Sequence, residues 1–407
     1  MLLREIAGRP TIARRYMERY VNNGSPSGFT HKYTSSPETS PFGPTPSFPL
    51  PTASLPDFLI EDLGGLPDWL CPGQIPLHPD MAREELIISN VGNINDTPLQ
   101  VTPTASARTV EVIDPTYNGF VKLSYKGLLG RVDRQISRSH ALAAIDVTSI
   151  LDRATKEQIL PTVFSFLRES GARVGSLNTS NGKRYEWGTV FREIDPFPRQ
   201  ASTAFLIPVF SLFASDVNAP AHPPLLNQLC ELQELPADEY LFHNVITPTV
   251  VCYFELLLTC ALQFECNAQN VVLGFDSKGN VTTVAFRDFE SVDKDLSLSE
   301  HLKLGMVFSS SPFKCVHRDL YNYSTKHSFM YDFKLGEYIL SPIIATVPEE
   351  TARSRLAKRT KDLGKSYVDR LPPSFFPSDG QWYSYANVVV DKTTQRPYFG
   401  TPEPKYR

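Results

Sequence analysis

The 407-residue sequence has no excess of charge of one sign: 40 Lys and Arg stand against 44 Asp and Glu. That balance removes the global basic field that advertises nucleic acid or an acidic membrane, so any basic site must be local. Cysteine is scarce and unpatterned. Cys71, Cys230, Cys252, Cys260, Cys266 and Cys315 form no C-x-x-C pair, which reads as free buried thiols in a reducing compartment rather than a metal site. The N-terminal MLLREIAGRPTIARRYMERY has no apolar core long enough for a signal peptide, and no later stretch is expected to span a membrane. No internal repeat is visible. A cytoplasmic globular protein is expected, and 41% apolar residues can fill a sizeable core.

What is present begins with a short basic amphipathic helix over residues 1–22. A Pro-, Ser- and Thr-rich run follows from 24 to about 56, too polar to offset its ordering entropy, and reads as a linker or extended strap. Three regions result: 1–57, a β-rich 58–225, and a mostly helical 226–407. In the second, ELIISNVG, LQVTP, ARTVEVI and GFVKLSYKGLL have strand character, with Val121, Leu123 and Tyr125 on one face and Lys122 and Ser124 on the other. Helical patterns are expected in HALAAIDVTSILDRA and LPTVFSFLRES, then strands in KRYEWGTVFREI and an apolar helix over 205–214. ITPTVVCYFELLLTCALQF predicts a buried helix with Thr247 as N-cap and Pro248 at its first position. The fold class is α+β, not a regular βαβ array.

The stretch FECNAQNVVLGFDSKGNVTTVAFRDFES carries the chemistry. VVLGF and VTTVAF are two apolar strands joined by DSKGN, where Gly279 allows positive φ. The hairpin returns Asp288 beside Asn270, with Glu265 nearby at the end of the preceding helix. Two carboxylates and an amide oxygen at one hairpin end suit Mg²⁺ with nucleotide phosphates, or else are salt-bridged hairpin ends. A kinase-like metal site has the same layout, but VHRDLYNYS at 316–324 is a poor catalytic loop: it follows RDFES and ends in Ser324. His317, Arg318 and Asp319 read as a surface turn.

Upstream, TPTASARTVEV and VKLSYKGLLGRVDRQ supply hydroxyls and the cations Arg108, Lys122 and Arg134. With these segments the chain resembles the siderophore synthetases that act without a peptide-synthetase template, the NIS synthetases of the aerobactin synthetase IucA/IucC family. Five of that family's motifs stand here in order: Ser106, Arg108 and Thr109; Lys122 with Arg134 twelve residues on; GTVFRE with Arg192; Glu265, Gln269 and Asn270; Arg287 and Asp288. IPLHP at 75–79, with His78, precedes them.

The resemblance implies a palm and fingers core, with an antiparallel sheet at the nucleotide site in 58–225 and a palm-like 226–407. It implies an AMP-forming ligase that adenylates a citrate-like polycarboxylate with ATP and condenses it with an amine or alcohol, in siderophore or related secondary metabolism. Ser106, Arg108, Thr109, Lys122, Arg134, Arg192 and Gln269 would bind ATP, and Glu265, Asn270 and Asp288 would hold Mg²⁺. Arg134, Lys122 and Asn267 would be catalytic, while His78, Asn267 and Arg134 would meet the acid substrate. Lys126, Arg131 and Arg138 belong to no motif and read as solvated charges.

Two departures stand out. The family's His in E-x-H-x-Q-N is Asn267, which loses the cationic option of an imidazole. The family's G-H-P-x-x-H-P segment is also missing, with only GSPSGF at 24–29 similar to its tail. The thumb domain is therefore expected to be largely absent, leaving a homodimer or a partner chain to complete the site, or an activity reduced or lost. A kinase-like small-molecule phosphotransferase and a non-catalytic nucleotide-binding relative are the alternative readings. No nucleic-acid or membrane partner is expected.

Overall fold

The computed structural model describes residues 1–22, 36–89, 91–114, 117–129, 132–178, 184–233, 235–304, 315–319, 323–377, 389–390, 397–398 and 404–407. GSPSGF and Arg131 lie outside them, as does the side chain of Lys126.

Helices α1 (Leu3–Gly8) and α2 (Pro10–Tyr20) lead into strands β1 (Phe48–Ser54), β2 (Ile60–Gly64) and β3 (Gln74–Pro76). The expected strap thus contains a strand. β1 pairs with β3 and with β4 (Ile94–Pro103), and its ladder shifts register between Pro49 and Pro51, where proline has no N–H to give. ELIISNVG, read as a strand, instead opens with the one-turn helix α3 (Glu85–Ile88).

With β5 (Thr109–Val112), β6 (Gly119–Leu123), β10 (Gly171–Asn178) and β11 (Arg184–Glu193), these strands form an eight-stranded antiparallel sheet in the order β2-β10-β11-β6-β5-β4-β1-β3. Between them lie the hairpin β7 (Tyr125–Leu129) and β8 (Val132–Arg134), helix α4 (Arg138–Lys156) and β9 (Phe164–Phe166). LPTVFSFLRES is therefore strand where a helix was expected, because β9 finds a parallel partner in β15 (Val281–Phe286).

Register sets the two faces of the large sheet. Thr109 lies opposite Lys122, Lys122 opposite Val190, and Phe120 opposite both Glu111 and Arg192. Opposed residues and their i±2 neighbours share a face. Thr109, Glu111, Lys122 and Arg192 therefore project together. Val110, Val112, Val121, Leu123 and Phe191 project the other way, into an apolar cluster with Phe48, Leu50, Leu70, Leu99 and Val101.

The charged face looks toward the second half of the molecule. There β12 (Phe205–Pro208), β14 (Val271–Phe275), β15 and β9 form a four-stranded sheet, and β13 (Leu262–Gln263) joins a three-stranded one. The expected helix over 205–214 is half strand: α5 spans only Val209–Phe213. The buried helix is longer than expected. It runs continuously over Ala237–Cys260, with Phe242–Ile246 as a π-helical turn, so Thr247 is no N-cap and Pro248 sits mid-helix. Such a turn accommodates the N–H that proline lacks. This helix is long and apolar enough to cross a membrane by length and composition, which corrects the sequence reading, yet 61% of its most apolar window is buried inside the fold. α4 and this helix share the largest core cluster with α1 and α2. Among the described residues no disulfide forms; Cys252, Cys260 and Cys266 are buried in that cluster and Cys71 is exposed.

Candidate functional site

The hairpin β14–β15 forms as read, with Gly279 at φ +83 in its turn and Val271 opposite Phe286. The register brings the two ends together: Arg287 N donates to Asn270 O at 3.0 Å. Asp288 then adopts a left-handed conformation (φ 79, ψ 65), which turns the chain toward the charged face of the large sheet.

Three motifs meet at that point. Lys122, 3% exposed, donates to Asp288 Oδ1 and reaches Glu290 Oε1 at 2.9 Å. Arg108 Nη2 donates to the same Glu290 oxygen at 2.6 Å, and its Nη1 to Arg134 O at 2.9 Å. Arg192 donates from Nη2 to Asp288 Oδ1 at 3.2 Å and from Nε to Glu169 Oε1 at 2.6 Å. Glu169 is fully buried and its other oxygen accepts from Phe289 N at 3.1 Å.

The electrostatics follow from this crowding. Burial alone would raise Asp288 and Glu290, but Lys122 and Arg108, with Arg192 beside Asp288, outweigh it and hold both below the usual carboxylate range. Burial would likewise lower the Arg192 guanidinium, and Glu169 and Asp288 outweigh it in the opposite sense. Arg134 is lowered, by burial first and then by the like charge of Arg108, while Asp288, Glu265 and Glu290 work against the shift.

The Ser106–Thr109 motif is a tight turn with Ala107 at φ 62. Ser106 Oγ accepts from Thr109 N at 2.9 Å, and Thr104 Oγ1 donates to Thr109 O at 2.8 Å. His78 is fully buried, its ring edge-on to Tyr125 at 4.9 Å, and Nδ1 accepts from Asp80 N at 3.2 Å. Burial pushes its imidazole down to about 4, against Asp80 and the backbone of Ala107. The imidazole is thus neutral and buried beside the turn.

Asn267 is also inward. It is 7% exposed, and Oδ1 accepts from Gln269 N at 2.9 Å and Asn270 N at 3.1 Å. Through Oδ1 the side chain caps its own loop, an Asx turn. Asn270 Nδ2 donates to Glu265 O at 3.1 Å, while the Glu265 carboxylate pairs with Lys334 at 2.7 Å. The three expected metal ligands thus stand near one hairpin end, with Glu265 and Asp288 both engaged by cations. Among the described residues no group of three or more His, Cys, Asp or Glu side chains is arranged to hold a metal ion.

Glu169, Glu290, Glu18 and Lys334 were not legible as site residues. Glu290 had a signal, two residues past Asp288; the others lie in segments without a motif. Arg138 pairs at the surface with Glu61 at 2.6 Å, and His317 pairs with Asp319 at 2.9 Å in an exposed turn.

No protein-family model and no curated protein matches the chain. Solved structures do. The petrobactin biosynthesis protein AsbB of Bacillus anthracis str. Sterne matches with TM-score 0.63 and 13% identity, over 81% of this chain and 62% of that one. Aerobactin synthetase IucC of a hypervirulent Klebsiella pneumoniae pathotype gives 0.61 and 14%, over 84% and 67%. ATP-bound aerobactin synthetase IucA of the same pathotype gives 0.58 and 16%, over 90% and 76%. The chain spans less than two thirds of the length of AsbB, yet its α+β architecture is the fold shared by these siderophore-synthesis proteins.

Proposed function

We propose that the protein is an ATP-dependent carboxylate–amine ligase that forms AMP and acts in siderophore or related secondary metabolism. The observation that carries this is the convergence of Arg108, Lys122 and Arg192, from three separate motifs, on the Asp288 and Glu290 carboxylates within a fold similar to the ATP-bound synthetase. In this reading residues 58–225 act as fingers and 226–407 as a palm, and ATP as co-substrate implies a cytoplasmic location.

Arg108, Lys122, Arg134 and Arg192 would bind the triphosphate, with the Ser106–Thr109 turn and Gln269 beside it. A substrate carboxylate oxygen attacks the α-phosphorus and pyrophosphate leaves; the amine nitrogen then attacks the acyl carbon, AMP leaves and the nitrogen loses one proton. Arg134 and Lys122 face charge that grows on the α-phosphate oxygens, where preorganised cations act most strongly. Asp288, Asn270 and Glu265 would hold Mg²⁺, whose contribution is neutralisation of phosphate charge. A citrate-like polycarboxylate suits the surplus of guanidinium groups.

Incubation with ATP, Mg²⁺, a panel of di- and tricarboxylates and a mixture of amines tests the reading, with nucleotide and condensed products followed by mass spectrometry. AMP, pyrophosphate and an amide are expected, all lost in Arg134→Ala and Asp288→Ala. ADP with a phosphorylated acceptor would identify a phosphotransferase instead, and Mg-ATP binding without turnover a non-catalytic relative.

A further inference from the structure

We propose that Glu18, on the N-terminal helix α2, is a positioning residue that clamps the two halves of the nucleotide site to each other; the inference rests on the nucleotide reading above. Glu18 is 1% exposed and has no solvent role. Its Oε2 accepts from Ala105 N at 3.2 Å, one residue before Ser106, and its Oε1 accepts from Arg287 Nη1 at 2.6 Å. Arg287 in turn donates from Nε to Gln269 O at 2.7 Å and from its backbone to Asn270 O at 3.0 Å. One carboxylate therefore joins the turn expected to cradle phosphate to the segment expected to hold the metal.

The helix that carries it is held from both sides. Arg14 and Arg15 share a face with Glu18 by helical spacing, and they bond Glu111 of β5 at 2.9 and 2.5 Å. The guanidinium of Arg19 donates to the carbonyls of Pro41, Gly43, Thr45 and Pro46, and Tyr16 donates to Asp216 at 2.9 Å. Glu111 belongs to the large sheet, while Asp216 and Arg287 belong to the other half. α2 is thus a brace between the two, and Glu18 is its contact with the Ser106 turn and Arg287.

The chemistry of the contact is specific. Both groups facing Glu18 are donors, one a main-chain N–H and one a guanidinium, so only an acceptor with two free oxygens satisfies them. Gln in its place accepts from one and turns an amide N–H₂ on the other. The Ser106 turn then loses its reference to Asn270 and Asp288, and misplacement of about an ångström lowers transition-state stabilisation by roughly a hundredfold.

The test compares the full chain with Glu18→Gln and with Arg15→Gln, which loosens α2 without touching either motif. Mg-ATP affinity is read by calorimetry and amide exchange by mass spectrometry. Glu18→Gln should weaken Mg-ATP by more than twofold, and should speed exchange in the 104–109 turn and in 267–270 together. Arg15→Gln should stay within about twofold in affinity at a similar loss of thermal stability. Unchanged exchange at either segment in Glu18→Gln overturns the clamp, as does equal loss of affinity in both variants. Wild-type protein that binds no Mg-ATP overturns the nucleotide reading itself, and exchange at the two segments then still decides the clamp.

Discussion

Lys122 neutralises two carboxylates from a position almost without solvent. Removing one partner of such a set leaves buried charge uncompensated, at a cost of about 3–5 kcal/mol. Lys122→Met, close in length and without charge, should lose stability of that order in urea denaturation at neutral pH; a loss under about 1 kcal/mol would mean the pairs contribute little. His78 makes a pH-dependent contribution. Its folded value of about 4 lies below the ordinary 6.5, so the folded protein binds fewer protons than the unfolded chain between those values. The stability it contributes is complete above pH 6.5 and is lost as pH falls through 4, about 3 kcal/mol in all. His78→Gln keeps an acceptor for Asp80 N and should flatten that acid limb, measured as the melting temperature between pH 4 and 7. Strand alternation made Lys122 and Arg192 legible on one charged face, since their apolar neighbours face the other way, while Arg108 lies in the turn just before β5, where alternation says nothing. Glu169 and Glu18 were not legible, because nothing in the RESG and ERY that surround them distinguishes a buried acid from a solvated one until a nonlocal cation is known.

Elements were legible in proportion to how local their causes are. The Arg138–Lys156 helix has its Ser137 cap and its apolar stripe in sequence, and it forms as read. β9 is three residues long and exists because β15 pairs with it, a cause more than a hundred residues away. Pro248 shows a local rule overridden: proline favours a helix start, yet a π-turn lets the helix pass through it. A second case lies on the helix Glu350–Val368, where Gly364 faces the backbone oxygen of Tyr406 too closely for any side chain. Tyr406 is held there by Tyr331, whose hydroxyl donates to that oxygen at 2.7 Å, and Arg407 bonds Asp332 at 2.9 Å. Helix propensity predicts that Gly364→Ala stabilises by about 1 kcal/mol. The packing predicts the reverse, with residues 404–407 released and cleaved faster by trypsin after Lys405; a variant more stable than wild type would refute this.

At the scale of the molecule, the charged face of one sheet closes against a hairpin from the other half, and α1–α2 ties them. A nucleotide bound between them should stabilise both. Mg-ATP at a hundredfold excess over its dissociation constant adds about 2.7 kcal/mol, visible as a rise in melting temperature that Arg192→Ala abolishes. The overall α+β class was legible from strand-rich and helix-rich segments, and the antiparallel sheet only through the family resemblance. The brace was not, since a basic helix followed by a polar run gives no hint of what it will lie across.

The pairing of Lys122 and Arg108 with Asp288 and Glu290 has a consequence for the proposed nucleotide site. There the same nitrogens would serve both, so binding would trade one set of anions for another within the protein, in the manner of an ion-exchange resin. Most phosphate sites shed dissolved counter-ions on loading, and their affinity falls as salt rises. Here the displaced ions are tethered side chains whose local concentration no salt can change. Affinity for Mg-ATP should therefore vary weakly between low and moderate ionic strength, and the heat of binding should carry the signature of ion pairs broken as well as made.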